Sequence, residues 1–268
     1  MKTVLTIAGS DSSGGAGIQA DIKTIEAHGL FATSVITALT AQNTTGVFGV
    51  SDVSPEFVIK QIDAVFEDIR PDAVKIGMVS SPAIVEAIAD ALERHNAEHV
   101  VVDPVMVATS GSALIADAAV NALVERLFPL AEIVTPNVPE ASVLSGFPIE
   151  SPGDVERAAG RISRLSGGLM CAVLVKGGHA SGDERRADDA LLLPDGRIVW
   201  LEGRRVATEN THGTGCTLSS AIACGLASGL DIESAVREAK EYVTGALRAN
   251  LQLGKGNGPL DHMWCFRE

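Results

Sequence analysis

Short runs dominated by Val, Ile and Leu recur along the chain, as VLTIAG, SVITALTA, AVKIGM, HVVVDPVM, EIVTPN and AVLVKGG, with longer amphipathic segments between them. Alternation of this kind is the pattern of βα units, because strands covered on both faces lose the polar alternation of half-exposed ones. It predicts an α/β fold around a mostly parallel, doubly covered sheet. Pro55 to Asp68 and Pro82 to His95 each open with proline at a plausible first helical position and repeat apolar residues at helical spacing. Ile84, Ile88 and Leu92 are expected to face the sheet together. In the C-terminal third, DALLLPDGRIVWLEG reads as an antiparallel hairpin around a Pro-Asp-Gly turn, followed by helices at about Thr217 to Ala227 and Ile232 to Asn250. No linker, low-complexity tract or repeat interrupts the pattern, so residues 1–268 are read as one domain.

Charge narrows the partners. The formal net charge is −13, and no basic run is long enough to reverse it locally, which argues against nucleic acid. Anionic substrates must then be handled inside a local pocket. Cys171, Cys216, Cys224 and Cys265 stand apart, with no C-x-x-C pair, as expected for a reducing compartment; the expected location is the cytoplasm. Met1 to Ala8 is apolar, but Asp11 and a glycine-rich loop break it before a signal-peptide core forms, and no segment approaches the roughly 20 apolar residues of a membrane span.

In an open α/β sheet, ligands bind at the carboxyl ends of the strands, where several loops here combine glycines with polar residues. The first, GSDSSGGAGIQAD from Gly9 to Asp21, follows a strand and opens a helix, so its backbone N–H groups are candidates to hold an anion or a polar ring; a capped turn is the alternative. It is not a Walker loop, since Gly15 and Ala16 stand where Lys and Ser or Thr are required. Gly15, Gly17 and Ala20 imitate a dinucleotide fingerprint, but the second strand ends in TAQN without the acidic ribose ligand. Asp103 at the fourth strand and Asn137 and Glu140 at the fifth are either helix caps and solvated loop residues or a Mg²⁺ site, because Mg²⁺ commonly joins one or two carboxylates to nucleotide phosphates. Lys176 in KGGH is either solvated or a point charge for phosphate oxygens, and His179 is weaker evidence.

NTHGTGCTLSSAI, from Asn210 to Ile222, adds what these pieces lack. Gly213 and Gly215 can turn successive N–H groups inward, making an anion nest at the start of a helix that begins near Cys216. Charge on a transferring phosphoryl group would be stabilised there. Cys216 in the first turn is either a small buried hydrophobe, as Cys224 is expected to be, or a thiol whose pKa the helix terminus lowers.

AGSDSSGGAGIQADIKT, SVITALTAQNT, KIGMV, VVDPVM, TPNVPEA, VLVKGGH, NTHGTGCTLSSAI and GNGPLDH occur in one order over essentially the whole chain. Together they resemble the ribokinase-like superfamily, and within it the hydroxymethylpyrimidine/hydroxymethylpyrimidine phosphate kinases of thiamine biosynthesis. The resemblance implies a ribokinase-like three-layer sandwich that uses ATP and Mg²⁺. It also implies transfer of the ATP γ-phosphoryl group to 4-amino-5-hydroxymethyl-2-methylpyrimidine, and then of a second phosphate to the monophosphate. Gln42 would bond the aminopyrimidine edge, with Gly9, Asp21 and Met78 close to the ring. Asp103 and Glu140 would arrange the metal, while Asn137, Lys176, Thr211, Gly213 and Gly215 would hold the nucleotide, and Gly213, Gly215, Lys176 and Cys216 would carry the transfer. The superfamily mostly has Asp where this chain has Cys216, whereas these kinases have Cys.

A pyridoxal or pyridoxine kinase on the same fold is the alternative, opposed by Gln42, which members specialised for pyridoxal tend to lose. A pyrimidine-binding regulator without catalysis is a further one. The resemblance also implies a homodimer. The segment SGDERRADD, Ser181 to Asp189, departs from the pattern by its charge and reads as a solvated flap.

Overall fold

The structure, a computed structural model, describes residues 1–106, 117–166, 171–177 and 185–267. One nine-stranded sheet of order β3-β2-β1-β4-β5-β6-β7-β8-β9 organises them. Its strands are β1 (Thr3–Asp11), β2 (Phe31–Asn43), β3 (Gly46–Asp52), β4 (Ala73–Ile76), β5 (Val100–Val102), β6 (Ile133–Val134), β7 (Ala172–Lys176), β8 (Asp189–Leu192) and β9 (Ile198–Leu201). Pairings from β2 through β1, β4, β5 and β6 to β7 are parallel. The β2–β3, β7–β8 and β8–β9 pairings are antiparallel.

The helices are α1 (Gly17–Ala27), α2 (Pro55–Asp68), α3 (Pro82–Arg94), α4 (Asp117–Ala122), α5 (Val138–Ser145), α6 (Pro152–Arg164), α7 (Thr214–Ala227) and α8 (Ile232–Arg248). Prolines open α2 and α3, where the Ser54 and Ser81 side chains cap the first turn by accepting backbone N–H bonds.

Successive strand residues serve two separate cores, as a period of two requires. Val74, Val100, Val102, Val173 and Val175 join the core under α2, α3 and α6, whereas Ala73, Val101, Ala172 and Leu174 join the one under α1, α7 and α8. This is the expected doubly covered sheet. Ile84, Ile88 and Leu92 are all buried in the first core, as their spacing implies. The expected hairpin forms at β8 and β9, with the Gly196 N–H bonded to the Leu193 carbonyl at 2.9 Å.

Two boundaries differ from expectation. Helix α7 begins at Thr214, before Thr217, because Gly213 at φ +86° ends the loop by itself. Strand β3 was not evident in GVFGVSD, whose residues are mostly exposed. It exists because Asn43 Oδ1 accepts from the N–H and hydroxyl of Thr45, folding the chain back on β2. His179 and residues 181–184 of the charged segment lie outside the described residues; within it, Arg186 pairs with Asp188 and Glu202.

Candidate active site

The carboxyl ends of the parallel strands open into a cavity of about 200 Å³. Gly9 from β1, Met78 beyond β4, Asp103 beyond β5, Asn137 beyond β6, Lys176 of β7 and Cys216 of α7 all line it, and Gln42 enters from β2. A second cavity of about 520 Å³ shares Asn137, Lys176, Thr211 and Thr214 with the first and continues along apolar Val206 and Leu218.

Of the expected site residues, Asp21 is the one that does not line either cavity. It is fully buried on α1, where Lys75 Nζ donates to both its oxygens at 2.9 and 2.8 Å. Thr6 and Ser220 hydroxyls donate to the same carboxylate at 2.6 and 2.8 Å. Its acceptors are thus directed inward, and Asp21 is corrected from a ring contact to the counter-ion of Lys75.

The first loop also differs from expectation. The Ser13 N–H and hydroxyl donate to Asp11 Oδ1 at 2.8 Å, and the Gly15 and Ala16 N–H groups to Oδ2 at 3.0 and 2.8 Å. The anion held by these amides is therefore the chain's own. His212 Nε2 donates to the same Oδ2 at 2.8 Å, tying this loop to the one before α7. Burial pushes the Asp11 carboxyl up, but the bonds from His212, Ser13 and Ala16 bring it down to about 2. Gln42 lines the cavity wall with its Nε2 3.3 Å from the same imidazole nitrogen and its carbonyl oxygen 3.2 Å from Thr40 Oγ1. Gly9 lies opposite, where an added Cβ would stand 2.5 Å from the Met78 Cε.

At the other end, Lys176 Nζ donates to Asp103 Oδ1 at 2.7 Å and Thr135 to the same oxygen at 3.0 Å. Asn137 and Glu140 form a capping box on α5, with the Asn137 N–H bonded to Glu140 Oε2 at 2.8 Å. The remaining oxygens have long contacts: Ser219 Oγ at 3.5 Å from Asp103 Oδ2, and the Met106 N–H at 3.4 Å from Glu140 Oε1. Burial raises the Glu140 carboxyl; Lys176 opposes and Asp103 adds to this. For Lys176, burial disfavours the ammonium, but Asp103 and Glu140 outweigh it and hold its pKa above the ordinary value. Two repelling carboxylates with under-used oxygens are a hard donor set that fits Mg²⁺.

Gly213 and Gly215 shape the approach to this end. A Cβ on Gly213 would lie 1.9 Å from the Gly15 carbonyl oxygen, and one on Gly215 would lie 3.3 Å from both Asp103 Oδ2 and Lys176 Nζ. First-turn N–H groups of a helix lack intrahelical acceptors, and Gly215 and Cys216, in the first turn of α7, both line the cavity.

Cys216 is partly exposed and lines the cavity together with Gly17, so the starts of α1 and α7 meet at this wall. The expected lowering of its pKa does not occur. Burial pushes the thiol up to about 11; Lys75 pulls against this, whereas Asp21 and Asp103 reinforce it. Two helix starts are insufficient to offset lost hydration. Cys224 is buried in the second core, as expected.

The family model for phosphomethylpyrimidine kinase matches residues 11–261. The chain belongs to that family. Phosphomethylpyrimidine kinase relatives include the hydroxymethylpyrimidine/phosphomethylpyrimidine kinase of Rhizobium meliloti (strain 1021), 52% identical over 260 residues that cover 96% of each chain. The phosphomethylpyrimidine kinase of Clostridium difficile 630 shares 48% identity with a TM-score of 0.79, over 91% of this chain and 98% of that one. A Bacillus subtilis pyridoxal kinase solved as an ADP complex shares 33% identity with a TM-score of 0.90 over 100% of both chains. The fold is thus the ribokinase-like one.

For this phosphomethylpyrimidine kinase family member, three site residues escaped sequence reasoning. Asp11 and His212 act as a pair that joins loops distant in sequence, and no spacing rule signals such a contact. Lys75 did carry a signal, a cation inside the otherwise apolar AVKI of β4, since lysine is almost never fully buried unless paired.

Proposed function

We propose that the protein transfers the γ-phosphoryl group of ATP to the hydroxymethyl group of 4-amino-5-hydroxymethyl-2-methylpyrimidine, and then phosphorylates the monophosphate to the diphosphate, as part of thiamine biosynthesis. One observation carries this: a carboxamide, Gln42, and a thiol, Cys216, share a cavity with an ammonium, Lys176, at the glycine turn. A carboxamide both donates and accepts, which suits a ring nitrogen beside an amino group. Met78 and Gly9 leave room for the flat ring, and the hydroxymethyl group then reaches Cys216. The ATP base occupies the adjoining apolar cavity along Val206 and Leu218, and its phosphates pass Thr211 and Asn137.

Lys176 and the N–H groups of Gly215 and Cys216 hold the moving phosphoryl group between the two substrates. With its pKa pushed up to about 11, Cys216 is a thiol at neutral pH, so it orients the substrate hydroxyl, whose proton passes to an oxygen of the transferring phosphoryl group as the bond forms. A loose transfer makes only a modest demand on such a base. Asp103 and Glu140 would hold Mg²⁺, which would supply positive charge to neutralise the phosphates.

The same reading places residues 1–268 in one domain that acts as a cytoplasmic homodimer. Its four free cysteines suit a reducing compartment, and no helix among the described residues is long and apolar enough to cross a membrane. Sedimentation checks the dimer.

The deciding experiment follows ADP release with Mg-ATP and, in parallel, hydroxymethylpyrimidine, its monophosphate and pyridoxal at matched concentration. Turnover of both pyrimidines with little pyridoxal activity is expected. Preference for pyridoxal would overturn the role of Gln42 and favour the second vitamin, as in the Bacillus subtilis neighbour. No turnover of any substrate would leave a binding protein.

A further inference from the structure

None of the residues of the closing motif GNGPLDH lines either cavity, yet their segment touches both sides of the site. On the pyrimidine side, Thr44 follows Gln42 by two residues at the turn between β2 and β3, and its Oγ1 accepts the Lys255 and Gly256 N–H groups at 3.1 and 3.2 Å. Gly256 passes so close that an added Cβ would stand 2.1 Å from the Thr44 carbonyl oxygen. Two residues on, the Gly258 N–H donates to the Glu209 carbonyl at 3.1 Å, and the Gly258 carbonyl accepts the His212 N–H at 3.0 Å. These contacts hold the loop that leads into the glycine turn. The segment then enters the core, where Leu260 and His262 are buried and the Tyr242 hydroxyl of α8 donates to the His262 carbonyl at 2.7 Å.

The last contact is on α7 itself. Thr217, the residue after Cys216, closes the first turn with its N–H on the Gly213 carbonyl at 2.9 Å, and its hydroxyl hydrogen-bonds His262 Nε2 at 3.0 Å. Helical Ser and Thr hydroxyls commonly turn back to the carbonyl four residues earlier, as those of Thr24, Ser219 and Thr244 do at 2.8, 2.9 and 2.7 Å. Thr217 instead bonds across the fold, and this ties the turn that contains Gly215 and Cys216 to the end of the chain.

We propose that the segment 256–262 is a positioning element of the active site: gripping Thr44 at one end and Thr217 at the other, it fixes the Gln42 hairpin and the phosphate-binding turn of α7 relative to each other. Phosphoryl transfer needs that registry, since a misplacement of about 1 Å can cost about 10²-fold in rate. A strap outside the cavity supplies the constraint without taking up substrate space. The proposal rests on the phosphotransfer reading above.

The two ends of the strap are expected to give different losses. Thr217→Val and His262→Ala, which cut the α7 end, are expected to lower kcat about tenfold with KM for the pyrimidine within about twofold of native. Thr44→Val, which cuts the hairpin end, is expected to raise that KM about fivefold with kcat within about twofold. His262→Gln, whose amide reaches the place of Nε2, is expected to restore kcat to within about threefold of native. The double variant Thr217→Val/His262→Ala is expected to be no slower than either single one, because both remove the same bond. A merely structural segment would lower stability without this split or this rescue.

Hydrogen–deuterium exchange needs no substrate, so it separates failure of the strap from failure of the reaction assignment. Amides 211–217 are expected to exchange about tenfold faster in Thr217→Val, and amides 43–46 in Thr44→Val, each with the other stretch unchanged. If the native protein does not turn over the pyrimidine, the assignment fails alone and the exchange pattern decides. Where His262→Ala does not fold, Thr217→Val decides, with Thr217→Ser as its rescue. Kinetic constants and exchange within about twofold of native in every variant, or kcat and KM moving together at both ends, would overturn the proposal.

Discussion

Lys75 and Lys176 stand on the parallel strands β4 and β7, and each pairs with an aspartate, at 2.8 Å and 2.7 Å. They differ in what surrounds the pair. Lys75 and Asp21 have no exposed side-chain surface, and the aspartate also takes Thr6 and Ser220 hydroxyls. Lys176 keeps 17% of its side chain exposed in the cavity, and Asp103 takes the Thr135 hydroxyl on Oδ1 at 3.0 Å but has only the long Ser219 contact, 3.5 Å, on Oδ2 among the described residues. A saturated pair has no capacity left for a ligand, whereas an under-used pair keeps donor and acceptor capacity for one. The same two residue types therefore separate into a support and a contact.

The strongest way to break this comparison is to neutralise each lysine in turn. Lys75→Met leaves Asp21 charged and dry, and is expected to cost about 3–5 kcal/mol in urea unfolding. Lys176→Met is expected to lower kcat by about 10²–10³-fold, as for loss of an oxyanion donor, with a smaller loss of stability. A Lys176→Met enzyme with normal turnover would place the phosphate contact elsewhere.

A finer comparison uses adjacent serines of α7. Ser220→Ala removes a 2.8 Å bond to buried Asp21 and is expected to cost about 1.5–3 kcal/mol. Ser219 bonds its own helix at the Gly215 carbonyl, 2.9 Å away, so Ser219→Ala should cost less than about 1 kcal/mol. Thermal unfolding of the two variants side by side reads the difference, and equal losses would erase the distinction between the pairs.

The fold was legible because burial on both faces writes itself into every strand as an apolar run. Strand β3 was illegible for the same reason: Phe48 and Val50 remain 70% and 51% exposed, and the strand is specified by the Asn43 turn and by pairing with β2. Among the site residues, the glycine turn, Cys216, Lys176, Asp103 and Gln42 were visible in the motifs, and they do converge on one cavity. Asp21 was misplaced because a helix residue's position in the chain does not reveal which side of the site wall it faces.

The sequence by itself determined the sheet's double covering, the helix starts at Pro55 and Pro82, and the set of residue types available for phosphate chemistry. These follow from local spacing and from the steric limits of Pro and Gly, which act within a few residues. Only the tertiary structure decided that Asp11 fills its own loop, that Asp21 faces Lys75, and that burial together with Asp21 and Asp103 raises the Cys216 pKa. Each of these depends on hydration lost and charges met across strands and helices far apart in the chain, and no local pattern encodes that quantity.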